Sequence, residues 1–267
     1  MLRLYDQAAG QAETIRPARR GELRTYTMGP AEGEPVQPSD LRRYLLSDLI
    51  RRVAERHRLQ VTAWHNAADG PSGTQAERAG DQIIGQRAGQ TLRAACDALN
   101  IYPAEFSARA PSSPDIVIGP AGGAGDSPGS HRVSAAGVLF SDNPAEVGVA
   151  DLVARGFDPL ALRLAFLQGH YRQPITIGWG AIAGADESLR WWRKRAADGA
   201  RSPSKPMCTQ QVGQITAAFD DDLDTPAALG TLRAIAEDGA IPPGARFETF
   251  AYLDRLLGLD LASEVGR

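Results

Sequence analysis

The spacing of apolar and polar positions changes character twice along the chain, and each change marks a different kind of element. Residues 23–28, LRTYTM, alternate and are rich in β-formers, so they read as a strand. Gly and Pro then break the pattern over 29–40. Leu41, Tyr44, Leu45, Leu49 and Val53 next recur at helical spacing, with Ser39 as the expected N-cap and Arg51 and Arg52 on the outer face. Residues 60–66, QVTAWHN, read as a second strand, completing a strand–helix–strand unit of a parallel sheet. A second helical stretch is expected over 75–100, then a buried strand over 114–119, PDIVIG. The Gly-rich run 120–131 lacks a following Lys-Ser/Thr, so it reads as a connector rather than a phosphate cradle.

From Gly156 the period stays helical. Asp158 and Pro159 open a helix with Leu160, Leu164, Leu167 and Tyr171 on one face. Residues 188–200 form another amphipathic helix, 201–206 a linker, Thr225 and Pro226 a helix start, and 247–262 a last helix. The fold class is therefore α/β, with a parallel-sheet domain over 1–155 and a helical bundle over 156–267.

Composition narrows the setting. A chain of 267 residues with 43% hydrophobic content can bury a sizeable core, and no apolar run is long enough to span a bilayer. With no basic, apolar leader at its start, a cytoplasmic protein is expected, without membrane association. Net charge is −3, which gives no overall attraction to nucleic acid. Cys96 and Cys208 stand apart and suggest neither a disulfide nor a zinc site. The isolated histidines read differently: His57 as solvated, His170 as structural at a helix end, His65 and His131 as residues near strand ends where ligands bind in α/β folds. Asp220, Asp221, Asp222 and Asp224 are expected at a helix start on the surface. Ser39 and Ser141 have no neighbouring base to make either a nucleophile. Arg190, Trp191, Trp192, Arg193, Lys194 and Arg195 form a basic, aromatic stretch suited to a partner, either protein or tRNA.

Several strings resemble the cysteinyl-tRNA synthetases, class I enzymes. Residues 2–30 parallel the family opening, 97–110 (DALNIYPAEFSARA) resemble a later segment, and 157–175 (FDPLALRLAFLQGHYRQPI) and 217–229 (AAFDDDLDTPAAL) are the most specific. The resemblance implies a Rossmann-like sheet domain followed by a helical bundle. It also implies what is altered. Met28 stands at the first zinc-ligand position, where a thioether replaces a thiolate, so zinc is not expected. Gln37-Pro38-Ser39-Asp40 stand at the His-Ile-Gly-His signature, where Asp40 would meet a polyphosphate with a like charge. Val138-Leu139-Phe140-Ser141-Asp142 stand at the Lys-Met-Ser-Lys-Ser signature, with no lysine. Most of the family's internal insertion and its anticodon-reading domain are also expected to be missing.

By position, the former adenylate cleft would be bounded by Met28, Gly29, Gln37, Ser39, Asp40, Asn66, Gly119, Ser141 and Asp142. The leading expectation is a non-catalytic relative that binds a protein partner or small ligand and needs no cofactor. A divergent ATP-dependent aminoacyl (cysteine-type) ligase is the alternative, with ATP as its ligand and Arg42, Arg43 and Arg132 as substitute phosphate-binding groups. A third reading is an accessory protein that docks on tRNA or on an authentic synthetase.

Overall fold

The computed structural model describes residues 1–30, 36–66, 92–102, 104–106, 112–123, 129–141 and 148–267. Its architecture is α/β, a Rossmann-like parallel sheet followed by a helical bundle. The chain opens with an antiparallel hairpin, β1 (Arg3–Asp6) and β2 (Gln11–Thr14), which the sequence pattern did not show. Its turn is closed by Gly10 at φ +69°, a conformation that suits glycine.

The central sheet consists of β3 (Glu22–Thr27), β4 (Gln60–His65), β5 (Glu105–Phe106), β6 (Ile116–Pro120) and β7 (His131–Ala135), in the order β5-β4-β3-β6-β7, all parallel. The expected strand–helix–strand unit is present as β3, α1 (Pro38–Arg56) and β4. The helix begins earlier than expected: Gln37, not Ser39, is the N-cap, because Pro38 fits the first helical position and Asp40 completes the capping box. Residues 92–98 are helical, and the rest of the predicted 75–100 helix lies outside the described residues. Much of the Gly-rich connector, 124–128, does as well.

Beyond the sheet, β8 (Val138–Phe140) pairs in parallel with β9 (Ile175–Ile177). The helices are α2 (Val149–Ala154), α3 (Leu160–Leu167), α4 (Trp179–Ala200), α5 (Thr209–Asp220), α6 (Thr225–Glu237) and α7 (Pro243–Leu257). Asp158 accepts a hydrogen bond from the Leu160 amide at 2.8 Å and holds the start of α3 as expected, but the helix ends at Leu167, so Tyr171 lies beyond it and not on its face. The predicted 188–200 helix starts nine residues earlier, at Trp179. Gly258, left-handed at φ +64°, ends α7. Among the described residues no helix is long and apolar enough to cross a membrane.

One apolar core runs from the sheet through α1 into the bundle and includes Tyr44, Leu46 and Ile50 of α1, Ile116 and Ile118 of β6, Leu164 of α3 and Phe250 of α7. At its centre sits a polar hub. Arg163 is fully buried and donates to Asp48 at 2.7 Å, to the carbonyls of Leu99 (2.9 Å) and Asn100 (3.0 Å), and to that of Leu257 (2.6 Å). Asp48 also accepts from Arg52 at 2.8 Å and from the Tyr102 amide at 3.0 Å. Arg52, expected to face out, folds inward because this carboxylate and the carbonyls of Asn100 and Arg255 need donors. Burial is the largest influence on the Asp48 carboxyl and pushes its pKa up, but Arg163 and Arg52 together outweigh it and hold the pKa below the usual value.

Removing one partner of a buried ion pair strands the other. Arg163→Met is therefore expected to lower stability by about 3–5 kcal/mol, and Arg163→Met with Asp48→Leu to recover part of that loss. Urea unfolding of the two variants checks this, and equal destabilisation by both would contradict it.

Candidate functional site

In the strand order β5-β4-β3-β6-β7 the chain reverses its winding between β3 and β6, and ligands of open parallel sheets bind outside the carboxyl ends of the strands at such a point. Met28 and Gly29 leave β3 at this crevice, and the Met28 amide donates to the Ile118 carbonyl of β6 at 2.8 Å, one residue before Gly119. Asn66 leaves β4 beside them, its amide bonded to the Thr27 carbonyl at 2.8 Å. Gln37 and Asp40, at the start of α1, come to the same place. Six of the sequence-derived positions are thus brought together.

Ser39 is turned aside. Its hydroxyl accepts from the Val138 amide at 2.9 Å and fastens α1 to β8. Ser141 lies at the far end of β8, where its amide bonds to the Ile177 carbonyl at 2.9 Å. No hydrogen bond among the described residues joins it to the Met28 group. Asp142 lies outside the described residues.

The buried polar groups at the crevice pair with one another and with the backbone. Asp40, expected to repel a polyphosphate, is instead only 4% exposed. Its carboxylate accepts from the Gln37 amide at 2.7 Å and pairs with Arg43. A buried carboxylate needs donors, and the helix start supplies both. Arg43 also donates to the carbonyls of Met28 (3.0 Å) and Gly29 (3.4 Å). Arg42 donates to four carbonyls, those of Ala136, Gly169, His170 and Gln173, at 2.8–3.3 Å, and burial lowers its pKa to about 10. In this structure both arginines, expected as phosphate-binding groups, are engaged by backbone carbonyls. Arg132, the third candidate, sits in the first half of β7, away from the carboxyl ends of the strands.

Tyr44, legible in the sequence only as a core position, donates to the Asn66 carbonyl at 2.9 Å and ties α1 to the end of β4. Burial and the nearby Asp40 carboxylate raise its pKa. Its ring lies 4.5 Å from that of His65, which burial holds at a pKa of about 4. A Cβ on Gly29 would collide with both the Asn66 carbonyl and the Tyr44 hydroxyl, so the two strand ends approach as closely as they do only because this residue is glycine.

Around Met28 the described residues gather no set of Cys, His and carboxylate donors. Cys96 is buried and its thiol is pushed up to about 12 by burial, far from the thiolate a metal requires.

The other sequence candidates divide. Of the basic, aromatic stretch, Trp192 is 3% exposed and Arg193 8%, the latter bonded to Asp158 and to the carbonyls of Leu259 and Asp260. Both belong to the core because α4 turns that face inward. Arg190, Lys194 and Arg195 remain exposed, Arg190 paired with Asp186 and Arg195 lying over the half-buried Trp191 at 5.3 Å. His57, expected to be solvated, bonds to Asp220 at 2.6 Å, and Arg56 meets the same carboxylate at 2.6 Å.

The acidic run is a fastening as much as a surface. Asp224 caps α6 as expected, but Asp220 holds α1, and the buried Asp222 accepts from the Tyr5 amide (2.8 Å), the Tyr171 hydroxyl and Arg172 (2.7 Å). Spacing alone could not reveal these partners, which lie more than 150 residues away for Asp220 and more than 200 for the Tyr5 contact.

A sheet of this order with a crevice at its reversal and a helical bundle behind it is the fold of class I aminoacyl-tRNA synthetases. An arginyl-tRNA synthetase from Plasmodium falciparum superposes with a TM-score of 0.53 over 93% of this chain and 77% of that one, at 10% identity. In sequence the chain is similar to cysteine-type ligases. It is 36% identical over 119 residues to an L-cysteine:1D-myo-inositol 2-amino-2-deoxy-alpha-D-glucopyranoside ligase of Rhodococcus jostii, covering 43% of this chain and 28% of that one. It is 31% identical over 117 residues to a cysteine–tRNA ligase of Novosphingobium aromaticivorans, covering 41% and 24%. The chain thus matches about a quarter of the length of these relatives. No family model matches it.

Two outcomes follow from this geometry. Gly29→Ala should cost about 1–3 kcal/mol in urea unfolding, because the added methyl must part β3 from β4. As pH falls from 6.5 towards 4, the unfolded chain takes up a proton at His65 that the native ring refuses, so stability is lost over that window. Between pH 7 and 5 the loss should be roughly 2 kcal/mol, and smaller in His65→Gln. Identical pH slopes for the two proteins would show that His65 is not responsible.

Proposed function

We propose that this chain is a non-catalytic relative of the cysteine-type ligases, one that keeps the synthetase scaffold and uses its surface to bind a partner. One observation carries the reading: the helix start that should receive nucleotide phosphates is already occupied by Asp40, whose charge is met by Arg43. An anion arriving there would meet a buried carboxylate, and the two nearest cations are held by backbone carbonyls. No lysine stands at the position of the second signature. In this reading residues 1–155 hold the crevice and 156–267 present the docking face, with Arg190, Lys194 and Arg195 exposed on α4 beside the half-buried Trp191. Neither ATP nor zinc is required.

A second reading, an ATP-dependent ligase of cysteine, draws on the names of the relatives at 36–37% identity. It would require the Asp40–Arg43 pair to open so that Arg43 could turn to a phosphate.

Calorimetric titration of the full chain with ATP and with a non-hydrolysable cysteinyl adenylate analogue, alongside amino-acid-dependent pyrophosphate exchange, separates the two. The non-catalytic reading expects no heat and no exchange. Saturable binding of the analogue, or exchange above background with cysteine, would replace it with the ligase reading. A partner docking on α4 should bind at least tenfold more weakly to Trp191→Ala with Lys194→Glu, and steep weakening with salt would mark that partner as tRNA rather than protein.

A further inference from the structure

At the amino end of the sheet, opposite the crevice, the hairpin β1–β2 lies across the start of edge strand β7. The Gln7 amide bonds to the Arg132 carbonyl at 2.9 Å and sets the two in register. Three side chains meet there: Asp6 from the end of β1, Glu13 from β2 and His131 from the first position of β7. One donor atom of each lies within 4.8 Å of the others, and among the described residues no second trio of His, Cys or carboxylate side chains does so.

The trio has the features of a prepared site. Asp6 and His131 are 10% and 11% exposed, and Glu13 is exposed at the rim, so one side opens to solvent. Asp6 is held in place by its own hydrogen bonds: Oδ1 accepts from the amides of Ala8 (2.7 Å) and Ala9 (3.3 Å), and Oδ2 from that of Arg132 (3.4 Å). Gln11 Nε2 donates to Glu13 Oε1 at 3.2 Å. The separation of Asp6 Oδ2 and His131 Nδ1, 3.2 Å, is close to the edge of about 3.4 Å between two ligands of a tetrahedral ion with bonds near 2.1 Å. The ring nitrogen that faces the carboxylates is His131 Nδ1, and it is the atom placed to ligate. Two carboxylates facing one imidazole present a charge that a dication matches.

We propose that Asp6, Glu13 and His131 bind one divalent transition-metal ion, zinc by preference, with water completing the coordination. One imidazole nitrogen and two carboxylate oxygens suit such an ion, and three protein ligands leave a fourth position open. The ion braces the hairpin against β7 and has no part in the crevice chemistry. Neither the lone cysteines nor any local spacing announces the site, because its ligands come from positions 6, 13 and 131.

The test titrates the metal-stripped full chain with zinc chloride by calorimetry and counts retained metal after dialysis. One equivalent is expected, with affinity falling at least tenfold in Glu13→Gln, a rim substitution that leaves the fold intact, and unchanged in Cys208→Ser. Zinc should also raise the melting temperature of the parent chain but not that of Glu13→Gln. Absence of saturable binding, undiminished binding in Glu13→Gln, or loss of binding in Cys208→Ser would each overturn the proposal.

Discussion

A guanidinium with no access to water organises this molecule. Arg163, on the first long helix after the sheet domain, can be buried only if its charge and its N–H groups find partners, and every partner comes from a different part of the chain. Asp48 comes from α1, the carbonyls of residues 99 and 100 from the turn after the 92–98 helix, and the carbonyl of Leu257 from the end of the last helix. Sheet and bundle must therefore be assembled before this charge is satisfied. Gly258 is part of the same arrangement, since a Cβ there would strike the Arg163 and Arg52 guanidiniums.

The strings that link this chain to the cysteine-type ligases gather at such fastenings. DALNIYP brings Asn100 to the hub, FDPLALRLAFLQGHYRQPI brings Arg163 to the hub and Tyr171 and Arg172 to Asp222, and AAFDDDLDTPAAL supplies Asp220 and Asp222. At the crevice the same chain turns its polar groups on itself: Asp40 with Arg43, Tyr44 with Asn66, Arg42 with four carbonyls. Each of these contacts ties the start of α1 or the ends of β3 and β4 to a neighbouring backbone segment.

Local periodicity was enough for the βαβ unit, the buried strand at 114–119, the α3 helix with Asp158 at its start and the helical second half, because each rests on interactions between residues a few positions apart. It missed the opening hairpin, a pair of four-residue strands with weak alternation, and it set the start of α4 nine residues late, since Gly178, Gly180 and Gly184 make that stretch a poor helix former by local propensity. By itself the sequence also determined which side chains stand at the positions the resemblance marks, since identity at a position needs no coordinates. Only the tertiary structure decided what those side chains do. Asp40 was legible as a negative charge at a helix start, but whether it faced a ligand or Arg43 depended on the Met28 and Gly29 carbonyls drawing that arginine inward. The half-burial of Trp191 against the full burial of Trp192, inward rotation of Arg52, and the meeting of Asp6 and Glu13 with His131 are likewise long-range outcomes: charge and burial are settled by neighbours in space, which spacing along the chain does not encode.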